Sequence, residues 1–304
     1  MELDITSLTT EQRNMHTNSI DTLSTLQVLE IINHEDKSVA NAVQKALPQI
    51  SAAVDTIYDR IKEGGRMFYI GAGTSGRLGV IDAAECPPTF STPPEQVQAI
   101  IAGGAEAMFD AIEGAEDDPA QGCNDLLERN LTSGDVVVGI TASGRTPYVI
   151  GAIKGAIDIG AATVSLSCNP NSITSAIANK PIEVIVGPEV LTGSTRLKAA
   201  TAQKMVLNML TTATMIKLGK VYENLMVDVH ATNKKLMERA KHIVMTITGI
   251  SYHDAETILK QTNFEVKTAI VMLKTAVPLV VAKKCIQNAD GSVREAIEQA
   301  KCFK

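Results

Sequence analysis

Three short stretches of this chain combine glycine with hydroxyl residues: Gly71-Ala72-Gly73-Thr74-Ser75-Gly76-Arg77, Thr141-Ala142-Ser143-Gly144-Arg145-Thr146-Pro147 and Thr192-Gly193-Ser194-Thr195-Arg196. Each stands between an apolar run and a helical pattern. Free N–H groups at a helix start, together with the positive end of the helix dipole, attract an anion. Ser and Thr hydroxyls add donors around a terminal phosphate. One such loop says little, because Ser or Thr near a helix start is usually just a cap. Three at one sheet edge point to a shared phosphate site.

The first loop also matches G-x-G-x-x-G, the dinucleotide fingerprint. That reading needs an acid about 20 residues on, at the end of the second strand, to hold the ribose. Gly103 and Gly104 occupy that point, and no carboxylate stands there. The variable positions of the fingerprint are the hydroxyl residues Thr74 and Ser75. A compact phosphomonoester suits this loop better than a pyrophosphate.

Two carboxylates stand out. Glu85 closes the helix expected after the first loop, immediately before Cys86-Pro87-Pro88. Glu116 lies in Glu113-Gly114-Ala115-Glu116-Asp117-Asp118. Both are placed to reach the mouth of a site at the sheet edge, although a solvated acid is the ordinary role of any glutamate. Spacing does not choose Glu116 over Glu113, Asp117 or Asp118. Among the histidines, His230 in Met226-Val-Asp-Val-His230 is the candidate site member. His16, His34, His242 and His253 read as surface or capping residues. Cys86 has no neighbouring base and reads as an inert buried thiol. Lys198 and Lys204 fall on a long helix, where a solvated or interface role is expected.

These residues need a scaffold, and the chain alternates to supply one. Residues 39–61 carry Val39, Val43, Leu47, Ile50, Val54, Ile57 and Ile61 at helical spacing, ending at Gly64-Gly65, with Pro48 expected to kink or split the helix. Strands are expected at 66–71, 97–103, 135–140, 162–168 and 181–187. Helical patterns lie between, including 105–114. Short, apolar, β-branched strands are those of a sheet covered on both faces. The expected fold is α/β, a doubly wound five-stranded parallel sheet with a small C-terminal helical subdomain. The expected division is 1–65 as N-terminal helices on the core or an interface, 66–248 as the phosphate-binding domain, and 249–304 as the helical subdomain.

Composition narrows the classes. Lys and Arg number 28 against 34 Asp and Glu, a net charge of −6, and aromatic residues are 3% of 304. Neither a basic stripe nor stacking aromatics is present, so no nucleic-acid partner is expected. No apolar run reaches spanning length, and the start is unlike a signal peptide, so no membrane partner is expected and a cytoplasmic location fits. Five scattered cysteines without a C-x-x-C pair argue against a disulfide framework or a zinc site.

Taken together, "GAGTSGRLGVIDAAECPPTF", "EGAED", "VVVGITASGRTPYV", "GPEVLTGSTRLKAATAQK" and "NLMVDVHATN" resemble the N-acetylmuramic acid 6-phosphate etherase family. The resemblance runs over nearly the whole chain. The 187–204 segment is similar to a signature shared with the larger, non-catalytic glucokinase regulatory protein. The resemblance implies the sugar isomerase (SIS) fold, a ubiquitin-associated-like C-terminal module, a homodimer with sites near the subunit interface, and no metal or redox cofactor. It implies cleavage of the D-lactyl ether of N-acetylmuramic acid 6-phosphate to N-acetylglucosamine 6-phosphate and D-lactate. It assigns the two catalytic carboxylates to Glu85 and Glu116. With those assigned, Glu116 is read as the general base and Glu85 as the proton donor. Gly73, Thr74, Ser75, Thr141, Ser143, Gly144, Thr146, Ser194 and Thr195 are expected around the phosphate. The competing readings are a phosphosugar aldose–ketose isomerase on the same fold and a phosphosugar-sensing regulator.

Overall fold

The computed structural model describes residues 7–229 and 234–303. The chain divides into two compact units, Met1–Ala84 with Glu95–Thr211, and Glu85–Pro94 with Thr212–Lys304. In the first, strands β1 (Met67–Gly71), β2 (Val97–Ile101), β3 (Val136–Ile140), β4 (Ala162–Ser167) and β5 (Lys180–Glu183) form one sheet in the order β2-β1-β3-β4-β5. All neighbours pair in parallel. Every residue of β1, β3 and β4 is buried, which is why their sequences are continuously apolar or small rather than alternating. The fifth strand is shorter than its apolar run: β5 ends at Glu183, and one further bond, Val184 N–H to the Ser167 carbonyl, ends the ladder.

Helices connect the strands. They are α1 (Thr25–Lys62), α2 (Gly73–Phe90), α3 (Pro119–Glu128), α4 (Pro147–Ile159), the short α5 (Ile173–Ile177) and α6 (Lys198–Lys217). Several differ from expectation, each for a local reason. Pro48 neither splits nor ends α1, which is one helix of 38 residues. An interior proline costs about 3 kcal/mol; here the buried face from Val39 to Ile61 offsets it. Glu85 does not close α2. The helix runs through Pro87 and Pro88 to Phe90, and the Ser91 N–H closes the last turn on the Pro87 carbonyl at 2.9 Å. Proline φ is already helical, and at the carboxyl end of α2 the two missing N–H groups cost only the bonds to the Ala83 and Ala84 carbonyls. Residues 105–114 form no full helix. One 3-10 turn, Gly104–Met108, opens the segment and a second, Ala115–Asp117, follows it, each preceded by a glycine in the left-handed region. The α5 turn was not anticipated from sequence; Ser172 caps it by accepting the Ser175 N–H.

In the second unit, β6 (Val221–Tyr222) and β7 (Leu225–Met226) make an antiparallel hairpin. Helices α7 (Lys234–Thr248), α8 (Tyr252–Gln261), α9 (Val266–Thr275), α10 (Leu279–Asn288) and α11 (Val293–Lys301) follow. Their core joins Ala240 and Val244 of α7 to Leu259, Ile270, Cys285 and Ile297. Helix α7 thus shares an apolar core with the helices beyond residue 249. His230 lies outside the described residues. Among the described residues, no helix is long and apolar enough to cross a membrane.

Two contacts set the first unit's geometry. Helices α3 and α4 meet backbone to backbone: a β-carbon on Gly122 would overlap the Tyr148 carbonyl, and one on Gly151 the Pro119 carbonyl. Elsewhere, the Lys198 ammonium of α6 is buried, 2.6 Å from the Glu35 carboxylate of α1. This overturns the solvated or interface role expected for Lys198; Lys204 is exposed. Burial raises the Glu35 pKa, but the Lys198 pair and Asn14 outweigh it and hold the carboxyl below its ordinary 4.5.

Two outcomes follow. Gly151→Ala forces α3 and α4 apart and lowers unfolding free energy by about 1–3 kcal/mol in a denaturant titration. Glu35→Ala strands a buried ammonium and costs about 3 kcal/mol, while Glu35→Leu with Lys198→Met recovers most of it. A carboxyl with a depressed folded pKa stabilises above its unfolded pKa and loses that contribution as pH falls through the folded one. The Glu35 share is therefore full above about pH 4.5 and declines below it.

Candidate active site

Strand order reverses between β1 and β3, and ligands of open parallel sheets bind beyond the carboxyl ends at such a point. Gly71 pairs with Ile140, so the chain leaves the sheet at Ala72 and at Thr141 side by side. The first two hydroxyl loops therefore begin as neighbours.

The first loop turns by close backbone packing. A β-carbon on Gly76 would sit 2.7 Å from the Gly71 carbonyl oxygen and 2.7 Å from the Ile101 side chain. Gly73 has a φ of +51°, is exposed, and has open space above it. Thr74 is half-buried. Ser75 is buried and its hydroxyl lies 2.9 Å from the Gln203 side-chain oxygen on α6. The Gln203 amide nitrogen is buried without a hydrogen-bond partner.

In the second loop the hydroxyls converge. Thr141 Oγ1 is 2.8 Å from Thr146 Oγ1 and 3.4 Å from Ser143 Oγ. It also accepts the Gly144 N–H at 3.2 Å, while Ser143 Oγ accepts the Arg145 N–H at 3.1 Å. Gly144 has a φ of +71°, and a β-carbon there would strike Ser172. Thr146 stands at the N-cap of α4 but makes no side-chain cap bond.

The third loop differs from the other two. The N–H groups that open α6, those of Lys198 and Ala199, both donate to the buried Glu189 carboxylate at 2.9 Å. Burial pushes the Glu189 pKa up, against the pull of those two donors. The Ala200 N–H goes to the Thr195 carbonyl. This helix start is therefore filled from within, and the free N–H groups expected there are not available. Ser194 and Thr195 are half-buried.

A cavity of about 310 Å³ joins the first loop to the acidic segment; Gly73, Arg77, Ala102, Glu113, Glu116 and Asp117 line it. Asp118 is spent otherwise, capping α3 by accepting the Ala120 and Gln121 N–H groups. Arg77 fastens the segment, donating from Nε to the Met108 carbonyl at 3.2 Å and from NH2 to the Asp110 carbonyl at 2.9 Å. Glu116 is exposed, as is Glu85 on α2. Cys86 is buried, and His16, His34, His242 and His253 are exposed. A cavity of about 630 Å³ in the second unit is lined by Ser91, Asp228, Phe264 and Lys267, and none of the expected site residues among the described residues lines it.

Sequence reasoning missed Arg77, Glu189 and Gln203 as site builders. All three lie inside the motifs already singled out, yet their partners are distant in sequence, and no local pattern signals such pairings.

Known proteins bear on this geometry. The family model described as the glucokinase regulatory protein N-terminal SIS domain matches residues 49–157. The chain is similar to a phosphoheptose isomerase structure from Francisella tularensis, with a TM-score of 0.51 and 17% identity, covering 64% of this chain and 100% of that one. That likeness shows the fold. Closer in sequence is the N-acetylmuramic acid 6-phosphate etherase of Rhizobium rhizogenes, 56% identical over 97% of this chain and 96% of the relative. N-acetylmuramic acid 6-phosphate etherase 1 of Bacillus licheniformis is also 56% identical, over 96% of both chains. At that identity, over nearly the whole of both chains, this protein belongs to the N-acetylmuramic acid 6-phosphate etherase family.

Proposed function

We propose that this chain is a cofactor-independent carbon–oxygen lyase that cleaves the D-lactyl ether of N-acetylmuramic acid 6-phosphate. The products are N-acetylglucosamine 6-phosphate and D-lactate. The observation that carries the reading is the cavity that joins the Gly73 loop to Glu116, in a chain 56% identical to etherases. Phosphate capture and acid–base chemistry then share one space. The setting is cytoplasmic breakdown of cell-wall amino sugars.

The chemistry explains the residue types. An alkyl ether resists direct hydrolysis because its leaving group is an alkoxide. In the open-chain sugar, the C1 aldehyde acidifies the C2 proton. Glu116 takes that proton, the ether oxygen leaves C3, and Glu85 protonates it as lactate departs. Water then adds at C3 of the unsaturated aldehyde. One carboxyl must start ionised and the other protonated, so they need different surroundings. Gly73, Thr74, Ser75, Thr141, Ser143, Gly144 and Thr146 hold the 6-phosphate, with Ser194 and Thr195 donating hydroxyls. Anchoring C6 holds C2 and C3 against the acids, where positioning lowers the barrier.

The reading includes a homodimer. Leu26 and Leu29 on the amino half of α1 are exposed apolar residues that a second subunit would cover. Helix α2 rises about 18 Å from Gly73 to Glu85, more than a hexose phosphate seated at Gly73 spans. Each site therefore draws Glu85 from the second subunit.

Incubation with N-acetylmuramic acid 6-phosphate releases D-lactate, and an aldose–ketose isomerase or a sensor would release none. Glu85→Gln and Glu116→Gln each abolish release while the fold is kept. Co-expressed, the two variants recover about a quarter of wild-type activity, because half of randomly formed dimers carry one site with both carboxylates intact. No recovery would mean that each site takes both acids from one chain.

A further inference from the structure

Residues 7–17 form a strap tied to the loops that follow β3, β4 and β5. Arg145 NH2 donates to Ser7 Oγ at 3.0 Å, and Thr17 Oγ1 donates to the Val190 carbonyl at 2.9 Å. The centre of the attachment is Asn169, which is 1% exposed. Its Oδ1 accepts the Thr9 N–H at 2.7 Å, the Thr9 hydroxyl at 2.9 Å and the Thr10 N–H at 3.4 Å. Its Nδ2 donates to Thr10 Oγ1 and to the Ala142 carbonyl, both at 3.0 Å. One buried amide thus links the strap to the second hydroxyl loop.

The Ala142 carbonyl has a second donor, the Cys168 N–H at 3.0 Å. Two donors from the segment after β4 fix the direction of this C=O. No peptide among the described residues is cis. In a planar trans peptide the following N–H points opposite to the C=O. Fixing Ala142 C=O therefore turns the Ser143 N–H to the other side, away from Asn169. The same peptide orients the step from Thr141 to Ser143, whose hydroxyls converge with that of Thr146.

We propose that Asn169 is a positioning residue for the sugar-phosphate grip. It acts through the Ala142 peptide, presenting the Ser143 N–H and the Thr141 and Ser143 hydroxyls to the 6-phosphate. It touches neither the phosphate nor the reacting carbons. The proposal rests on the reading of residues 141–146 as a phosphate grip. Its signature is on binding of the phosphate end, with the chemical step left alone.

The test separates the two ties that Asn169 makes. Asn169→Asp keeps the acceptor for Thr9 and Thr10 but sets a carboxylate against the Ala142 carbonyl. Thr10→Val removes one strap bond and leaves the bond to Ala142. Ser143→Ala tests the grip itself. The readouts are KM and kcat for N-acetylmuramic acid 6-phosphate, the inhibition constant of N-acetylglucosamine 6-phosphate, and the melting temperature. Asn169→Asp raises KM and the inhibition constant in parallel by about tenfold, with kcat within about twofold of wild type. Thr10→Val lowers the melting temperature and leaves both constants in place. Asn169→Ser, which also loses the donation to Ala142, gives the same result if the Asp variant does not fold. Unchanged constants in the Asn169 variants, or equal shifts in Thr10→Val, overturn the positioning role. Unchanged inhibition in Ser143→Ala overturns the grip reading, and the proposal with it.

Discussion

The parallel pairing of β1 with β3, Gly71 opposite Ile140, is the constraint on which the site depends. It lies where the strand order reverses, so the loops after these two strands leave the sheet together and their helices diverge. The geometry of both loops follows from that placement. Gly71 and Gly76 are needed because strand and helix backbones meet there within a contact distance that no side chain allows. The hydroxyls of the second loop converge because Thr141 is the first residue beyond the strand and Thr146 the last before α4.

Helix starts in this unit differ in what fills them. The positive end of a helix attracts a carboxylate of the protein as readily as a ligand. Asp118 fills the start of α3, and Glu189 fills the start of α6. At α4 the Thr146 side chain makes no cap bond, and at α2 Gly73 is open to solvent. The loops with unfilled starts are the two that the strand order brings side by side. Glu189 also lies beside the buried Lys198, whose charge would oppose a helix start without the Glu35 partner. The motif around Gly187 to Lys204 thus serves mainly to seat α6 and to deliver Gln203 to Ser75.

Much of this was legible in sequence for a physical reason. Strands buried on both faces need unbroken apolar runs, and tight strand-to-helix turns need glycine, so the sheet and its first two loops announce themselves locally. The carboxylate in the acidic segment was not resolvable by spacing. The fold narrows it by spending Asp118 on a cap and leaving Glu113, Glu116 and Asp117 on the cavity. Other features were hidden because they depend on partners far along the chain. The free helix start expected at Ser194 and Thr195 was filled by Glu189, a residue no N-cap pattern would name. The buried pair of Lys198 with Glu35, and the Asn169 bonds to Thr9, Thr10 and Ala142, are likewise non-local. Prolines misled in α1 and α2: in α1 the buried face outweighed the missing N–H, and in α2 the helical φ of proline carried the last turn to Phe90.

The proposed lyase reaction requires that a proton leave C2 before the ether bond is broken. The direct measurement is turnover of N-acetylmuramic acid 6-phosphate in deuterated water, with the N-acetylglucosamine 6-phosphate product read by NMR. Elimination followed by addition predicts deuterium at C2 of the product. A product formed with its original hydrogen at C2 would contradict it and point to direct displacement at C3.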